Sequence, residues 1–184
     1  MRLPIGIGRI ALAACLGLVA AGLAPIGSAM AADLAMPQPD QAMTDGWTGL
    51  YAGTGLSHSA FAGPVVSTDT SLDLFLGANK QVGQFVLGAR GQISYTVDSL
   101  IGGLWAARAD VRTGVLVTPQ FLAYGTLGIG HALIVGGTSY YTFGVGAEFA
   151  LTSKVSLYAE ATHGIELGGP FTINGVSTGL NWHF

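Results

Sequence analysis

The sequence predicts an all-β fold: an eight-stranded antiparallel up-and-down transmembrane β-barrel. Three observations lead there. From Gly46 to the C-terminus, apolar residues recur at every second position, the alternation of a strand rather than the period of about 3.6 of a helix. Half of the 184 residues are apolar and only 9% are charged, against roughly 25% in ordinary soluble domains. The mid-strand charges share one face with glycine and small polar residues, and the large side chains take the other.

Residues 1–32 stand apart as a secretory signal. Arg2 and Arg9 form a positive n-region, and Ile10 to Gly27 is an apolar run. Ser28-Ala29-Met30-Ala31-Ala32 then supplies a small-x-small cleavage site, after Ala31 or Ala32. Leu12-Ala13-Ala14-Cys15 also fits a lipoprotein signal, in which the cysteine is lipidated. Only five residues separate Arg9 from Cys15, fewer than the roughly 7–15 of an ordinary h-region, and more apolar residues follow.

Cys15 is the only cysteine, so a cleaved chain has neither a disulfide framework nor a thiolate metal site. Losing Arg2 and Arg9 leaves five basic residues against ten acidic ones, a net charge of −5. That balance argues against nucleic acid as a partner. Residues 33–45 are polar, contain two prolines and lack an apolar period, the mark of an extended linker before a domain at 46–184.

Eight strands are predicted, at 47–57, 71–81, 85–96, 104–116, 121–132, 140–150, 155–165 and 173–184. Most approach the roughly 9–11 residues with which a tilted strand crosses a bilayer. Three connections are tight: Val82-Gly83-Gln84, Thr118-Pro119-Gln120 and Thr152-Ser153-Lys154. The alternate connections are longer, most clearly 58–70. Short turns at one end and longer loops at the other are the pattern of a transmembrane barrel.

Charge placement decides between membrane and water. In the fourth strand Trp105, Ala107, Ala109, Val111, Thr113 and Val115 oppose Arg108, Asp110 and Arg112. The third sets Phe85, Leu87, Ala89, Ile93 and Tyr95 against Arg90, Gln92 and Ser94. The sixth and seventh place Glu148 and Glu160 opposite Phe143, Val145, Leu157 and Ala159, and the second places Asp73 opposite Leu72 and Leu74. An arginine facing lipid near the midplane costs about 2–4 kcal/mol, which explains the segregation. A soluble β-sandwich would need charges on its outer faces, and this chain has too few to cover them.

Several segments carry a family resemblance. Trp47-Thr48-Gly49-Leu50-Tyr51-Ala52-Gly53, VGQFVLGARGQISY at 82–95, YTFGVGAEFALTSKVSLYAEATHG at 141–164 and the terminal GLNWHF resemble small outer-membrane β-barrel proteins of alphaproteobacteria, an OmpA-like, porin-family type. The resemblance implies a barrel in the Gram-negative outer membrane, with the linker and tight turns in the periplasm. It further implies insertion by the barrel-assembly machinery and a surrounding of outer-membrane lipid and lipopolysaccharide. The chain departs from relatives in its short loops, notably Val135-Gly136-Gly137-Thr138, and in His183 at the penultimate, often basic, position.

The candidate site is the predicted lumen, formed by Asp73, Arg90, Arg108, Asp110, Arg112, Glu148 and Glu160. Counting from the tight turns puts Arg90, Arg112 and Glu160 at similar depth, Glu148 slightly lower, and Asp73, Arg108 and Asp110 nearer the outer rim. Such a set forms either a solute-selecting constriction or a paired network filling a lumen only side chains wide. Inward glycines, among them Gly53, Gly55, Gly88, Gly128, Gly130, Gly144 and Gly146, make room for the long charged groups.

Trp47, Tyr95, Trp105, Tyr141 and Trp182 are placed in interfacial aromatic girdles. Leu180, Trp182 and Phe184 form the outward face of the last strand, and the resemblance makes this terminal aromatic strand the assembly signal. Of the four histidines, His163 faces outward, yet no serine stands two residues away and Glu160 faces inward, so a lipid hydrolase lacks its geometry. No metal-ligand spacing such as H-x₃-H occurs. The functional expectation is a monomeric, non-catalytic, cofactor-free barrel with a structural role. A narrow porin and a surface adhesin are the alternatives.

Overall fold

A computed structural model describes residues 46–64, 66–98, 103–133 and 137–184. The signal at 1–32, the Cys15 motif and most of the linker at 33–45 lie outside them. Eight strands follow in chain order: β1 Gly49–Ala62, β2 Ser67–Val82, β3 Phe85–Asp98, β4 Leu104–Thr118, β5 Phe121–Ala132, β6 Ser139–Ala150, β7 Val155–Glu166 and β8 Thr172–His183. Each pairs antiparallel with its sequence neighbour, and β8 pairs with β1 to close the barrel. Closure removes the sheet edges, whose backbone groups hydrocarbon cannot satisfy.

The tight turns fall where the sequence places them. Gly83 takes a φ of 61° between β2 and β3, a left-handed conformation that suits glycine. Between β6 and β7 the Thr152 hydroxyl accepts hydrogen bonds from the amides of Lys154 and Val155, at 3.2 and 3.0 Å. These turns and the β1–β8 termini share one end of the barrel, the turn end; the opposite end is the loop end.

The loop end departs from expectation at 58–70. There β1 continues to Ala62 and β2 starts at Ser67, leaving a connection of 63–66. The pairs Ser57↔Ser71, Ser59↔Asp69 and Ala60↔Thr68 carry the ladder through this stretch. The period of two persists, but small and polar residues replace the large apolar ones, so the lipid signal ends before the strand does. The connection at 135–138 is bridged by an Ala132 amide bond to the Thr138 carbonyl at 3.0 Å; residues 134–136 lie outside the described ones.

Burial is inverted relative to a soluble protein. Leu50, Leu76, Val111, Leu127 and Val145 are all about three-fifths exposed or more on the outer surface. Asp73, Arg90, Asp110, Arg112, Glu148 and Glu160 are buried inside. Large apolar groups left in water would cost of order 1.5–3 kcal/mol each relative to burial, so this exterior needs lipid as its solvent.

Candidate functional site

The lumen charges form two tiers. In the upper tier Arg90 and Asp110 are direct cross-strand partners on β3 and β4. The Arg90 guanidinium donates to Asp110 Oδ2 at 3.1 Å and to Glu160 Oε1 at 2.9 Å. Arg108 donates to the same two carboxylates at 3.0 and 3.1 Å, and to Gln92 Oε1 at 3.1 Å. Glu160 stands on β7, the strand opposite β3 in the ring of eight, so its ion pairs cross the lumen.

The lower tier, nearer the turn end, centres on Glu148. It accepts from Arg112 Nη2 at 2.7 Å, Ser156 Oγ at 2.5 Å and Asn181 Nδ2 at 2.6 Å, with His183 Nε2 at 3.3 Å. Arg112 also lies over the Tyr124 ring, 4.2 Å from its centroid, a cation–π contact. Four groups from β4, β7 and β8 thereby share one buried carboxylate on β6.

The depths differ from those counted along the chain. Arg112 joins Glu148 in the lower tier rather than standing beside Arg90 and Glu160. Asp110 and Arg108 reach the Arg90–Glu160 level rather than the rim. Strand tilt and stagger explain the discrepancy, because residue count from a turn measures position along a tilted strand and not height in the barrel. Asp73, the fourth carboxylate, makes no ion pair among the described residues and accepts from Ser94 Oγ at 2.6 Å.

Aromatic rings, not charges, fill much of the remaining lumen. Tyr51, Phe75, Tyr124, Tyr140 and Tyr158 face inward, and each pairs directly with a glycine: Gly77, Gly53, Gly146, Gly130 and Gly179 respectively. A Cβ on Gly53, Gly77, Gly130 or Gly146 would strike the ring lying over it. The inward glycines at 53, 55, 130 and 146 therefore seat aromatics, whereas Gly88 and Gly128 lie against Asn79, Arg112 and Asp110. The cue in the sequence is parity: Phe75 falls on the face of Asp73 and Asn79.

Trp47 corrects the girdle assignment. It is 1% exposed and packs with Val86, Leu122, Tyr124 and Ala150 inside the turn end. Its indole N–H donates to the Pro119 carbonyl at 3.1 Å. Gly49, with φ 140°, lets the incoming segment bend over the mouth. Trp47 also shares the parity of Tyr51, the lumen face. Tyr95, Trp105, Tyr141 and Trp182 do stand on the outer surface, with Tyr95 and Trp105 stacked at 4.9 Å. Leu180, Trp182 and Phe184 are exposed on the last strand. His163 Nδ1 lies 2.8 Å from Asn174 Oδ1, with no serine or carboxylate among its hydrogen-bond partners.

A closed eight-stranded barrel with an apolar exterior and a polar, ion-paired interior defines a transmembrane β-barrel. The chain matches the outer membrane protein β-barrel domain over residues 18–184 and belongs to that family. It is accordingly a multi-pass protein of the outer membrane. Among solved structures it resembles the attachment invasion locus protein of Yersinia pestis, at 12% identity and a TM-score of 0.55, over 74% of this chain and 99% of that one. It also resembles a Neisserial surface protein, at 12% identity and a TM-score of 0.50, over 74% and 98%. No curated protein matches it in sequence.

Proposed function

We propose that this barrel has a structural, non-catalytic role in the outer membrane, anchoring and maintaining it with a lumen closed by its own side chains. The observation that carries the proposal is the cross-lumen contact of Arg90 with Glu160 at 2.9 Å, within a fully ion-paired tier. An eight-stranded barrel is about wide enough for side chains alone, and this one spends that width on paired charges and glycine-seated rings. In this reading residues 1–32 are a cleaved signal and the turn end lies in the periplasm of a Gram-negative envelope. The barrel acts as a monomer of the alphaproteobacterial type, without cofactor, among lipid and lipopolysaccharide. Leu180, Trp182 and Phe184 present the assembly signal to the barrel-assembly machinery.

A second reading, a narrow porin for water or small ions, draws on a specific feature of the lower tier. Both side-chain polar atoms of Asn79, the Arg112 Nε and the Asn181 Oδ1 are buried without a hydrogen-bond partner. Such groups ordinarily hold ordered water, and a water file is the beginning of a path. Planar-bilayer conductance separates the two. The plug predicts a silent wild type that stays silent or leaks weakly as Arg112→Ala and Glu160→Ala; steady ion-selective steps from the wild type would overturn it. The short connections of 63–66 and 167–171 leave an adhesin little surface to present.

A further inference from the structure

Three of the four histidines share one arrangement on the outer surface toward the loop end. His58 on β1, His131 on β5 and His163 on β7 each face outward. Each pairs across the ladder with an outward polar residue of the next strand: Thr70, Ser139 and Asn174. In every case it is Nδ1 that meets this partner: Thr70 Oγ1 at 3.2 Å, Ser139 Oγ at 2.9 Å and Asn174 Oδ1 at 2.8 Å. The ring is thereby fixed, and Nε2 makes no hydrogen bond to any described residue. His183 differs, since its Nε2 is turned into the lumen onto Ser156 at 2.9 Å.

All three stand at the level of the loop-end aromatic girdle. His163 stacks on Phe143 with ring centres 5.1 Å apart. His131 lies one outward position beyond Ile129, the partner of Tyr141. His58 lies one outward position beyond Leu56, whose partner Leu72 pairs with Tyr95. No other basic side chain faces outward here. Arg90, Arg108 and Arg112 face the lumen, and Lys80 and Lys154 sit at the turn end. Among the described residues, the basic nitrogens facing outward at this level are therefore three tethered imidazoles on β1, β5 and β7.

We propose that His58, His131 and His163 are contact points for phosphate groups of outer-leaflet lipid, engaged as the imidazoles protonate. With Nδ1 donating to Asn174, the Nε2 of His163 gains a proton to donate only in the cationic ring. Imidazole is the side chain whose charge changes in the mildly acidic range, and in its cationic form both ring nitrogens donate. The charged groups near these rings are both at His58: Asp69, next to Thr70 in β2, and Asp98, paired with Thr70 from β3. The paired neighbours of His131 are Ala107 and Ser139, and those of His163 are Phe143 and Asn174, none of them ionisable. A cationic ring at His131 or His163 would find no counter-ion among its paired neighbours, and lipid phosphate supplies one.

This rests on the loop end facing the outer leaflet, which residue-specific labelling of the 63–66 connection in intact cells checks separately. The binding test uses the full barrel in phosphatidylcholine nanodiscs doped with bis-phosphorylated lipid A or its dephosphorylated form, so its outcome is independent of orientation in the cell. Native mass spectrometry would find at least about tenfold more phosphorylated lipid retained at about pH 5.5 than at about pH 8. The H58Q/H131Q/H163Q variant would lose that difference, with folding verified by its heat-dependent gel shift. In the wild type, imidazole ¹⁵N spectra would show Nε2 perturbed by phosphorylated lipid alone. Retention independent of pH, equal retention of the dephosphorylated lipid, or unmoved Nε2 signals would each overturn the proposal.

Discussion

Arg90 on β3 and Glu160 on β7 meet across the lumen at 2.9 Å, joining strands on opposite walls of the barrel. Both side chains are almost wholly buried, and each has a second charged partner: Asp110 for Arg90 and Arg108 for Glu160. Removing one member leaves an uncompensated buried charge, whereas replacing a whole set by apolar groups need not.

Glu160→Ala is therefore expected to destabilise the barrel by about 3–5 kcal/mol. Urea unfolding in detergent, followed by loss of the heat-dependent gel shift, measures it. The double replacement R90M/E160L should recover part of that loss, because it removes charges of both signs together. A double variant as weak as the sum of its parts would mean that the two residues act independently.

The glycines under aromatic rings should be intolerant where lipid-facing glycines are not. Gly53→Val drives a side chain into the Phe75 ring and is expected to cost about 1–3 kcal/mol or more. Gly91→Ala meets no atom within 4 Å and should fall within about 0.5 kcal/mol of wild type. The same unfolding assay compares them.

Tryptophan fluorescence tests the mouth of the barrel. Trp105 and Trp182 are 50% and 52% exposed on the outer surface, while Trp47 is enclosed. In liposomes of brominated lipid, a W105F/W182F variant retaining Trp47 should keep its emission, and the wild type should lose most of its own. Strong quenching of the lone Trp47 would place it in lipid after all.

Phe184 is 76% exposed at the end of the last strand, so it contributes little burial to the finished barrel. Its deletion should leave the stability of the refolded protein within about 0.5 kcal/mol of wild type. In cells, the same deletion is expected to lower the amount reaching the outer membrane. Equal outer-membrane levels would dissociate the terminal aromatic from assembly.

Much of this architecture is legible in the alternation of residues. Lipid enforces the rule sharply: one face of β4 carries Trp105, Val111 and Val115 and the other Arg108, Asp110 and Arg112, so strand and orientation are read together. The alternation weakens as a guide where the surroundings stop being lipid. At 58–70 the strands run on through serine and threonine, and no apolar face marks them. Height in the barrel is less legible, because the stagger that pairs Arg90 with Asp110 and Gly88 with Arg112 is a property of the closed ring. Trp47 and the five inward rings were hidden by their chemistry. An aromatic in a membrane protein suggests the interface, and its parity with the lumen charges or a facing glycine, such as Gly146 for Tyr124, marks a ring turned inward.

The β1–β8 seam has a consequence for how the barrel stays shut. Asn181 and His183 reach Glu148 from β8, and Tyr51 on β1 lies 3.4 Å from the Arg112 guanidinium. Tyr51 and His183 are themselves partners across the seam. A sheet of eight strands whose ends had not met would leave Arg112 without the Tyr51 hydroxyl and His183 without the Tyr51 ring, and would expose the lower tier to water. The lower tier thus works as a clasp: the contacts of Tyr51 with Arg112 and His183 assemble only when first and last strands join. Opening that joint at any later time must undo the charge chemistry inside as well as the ladder along the wall.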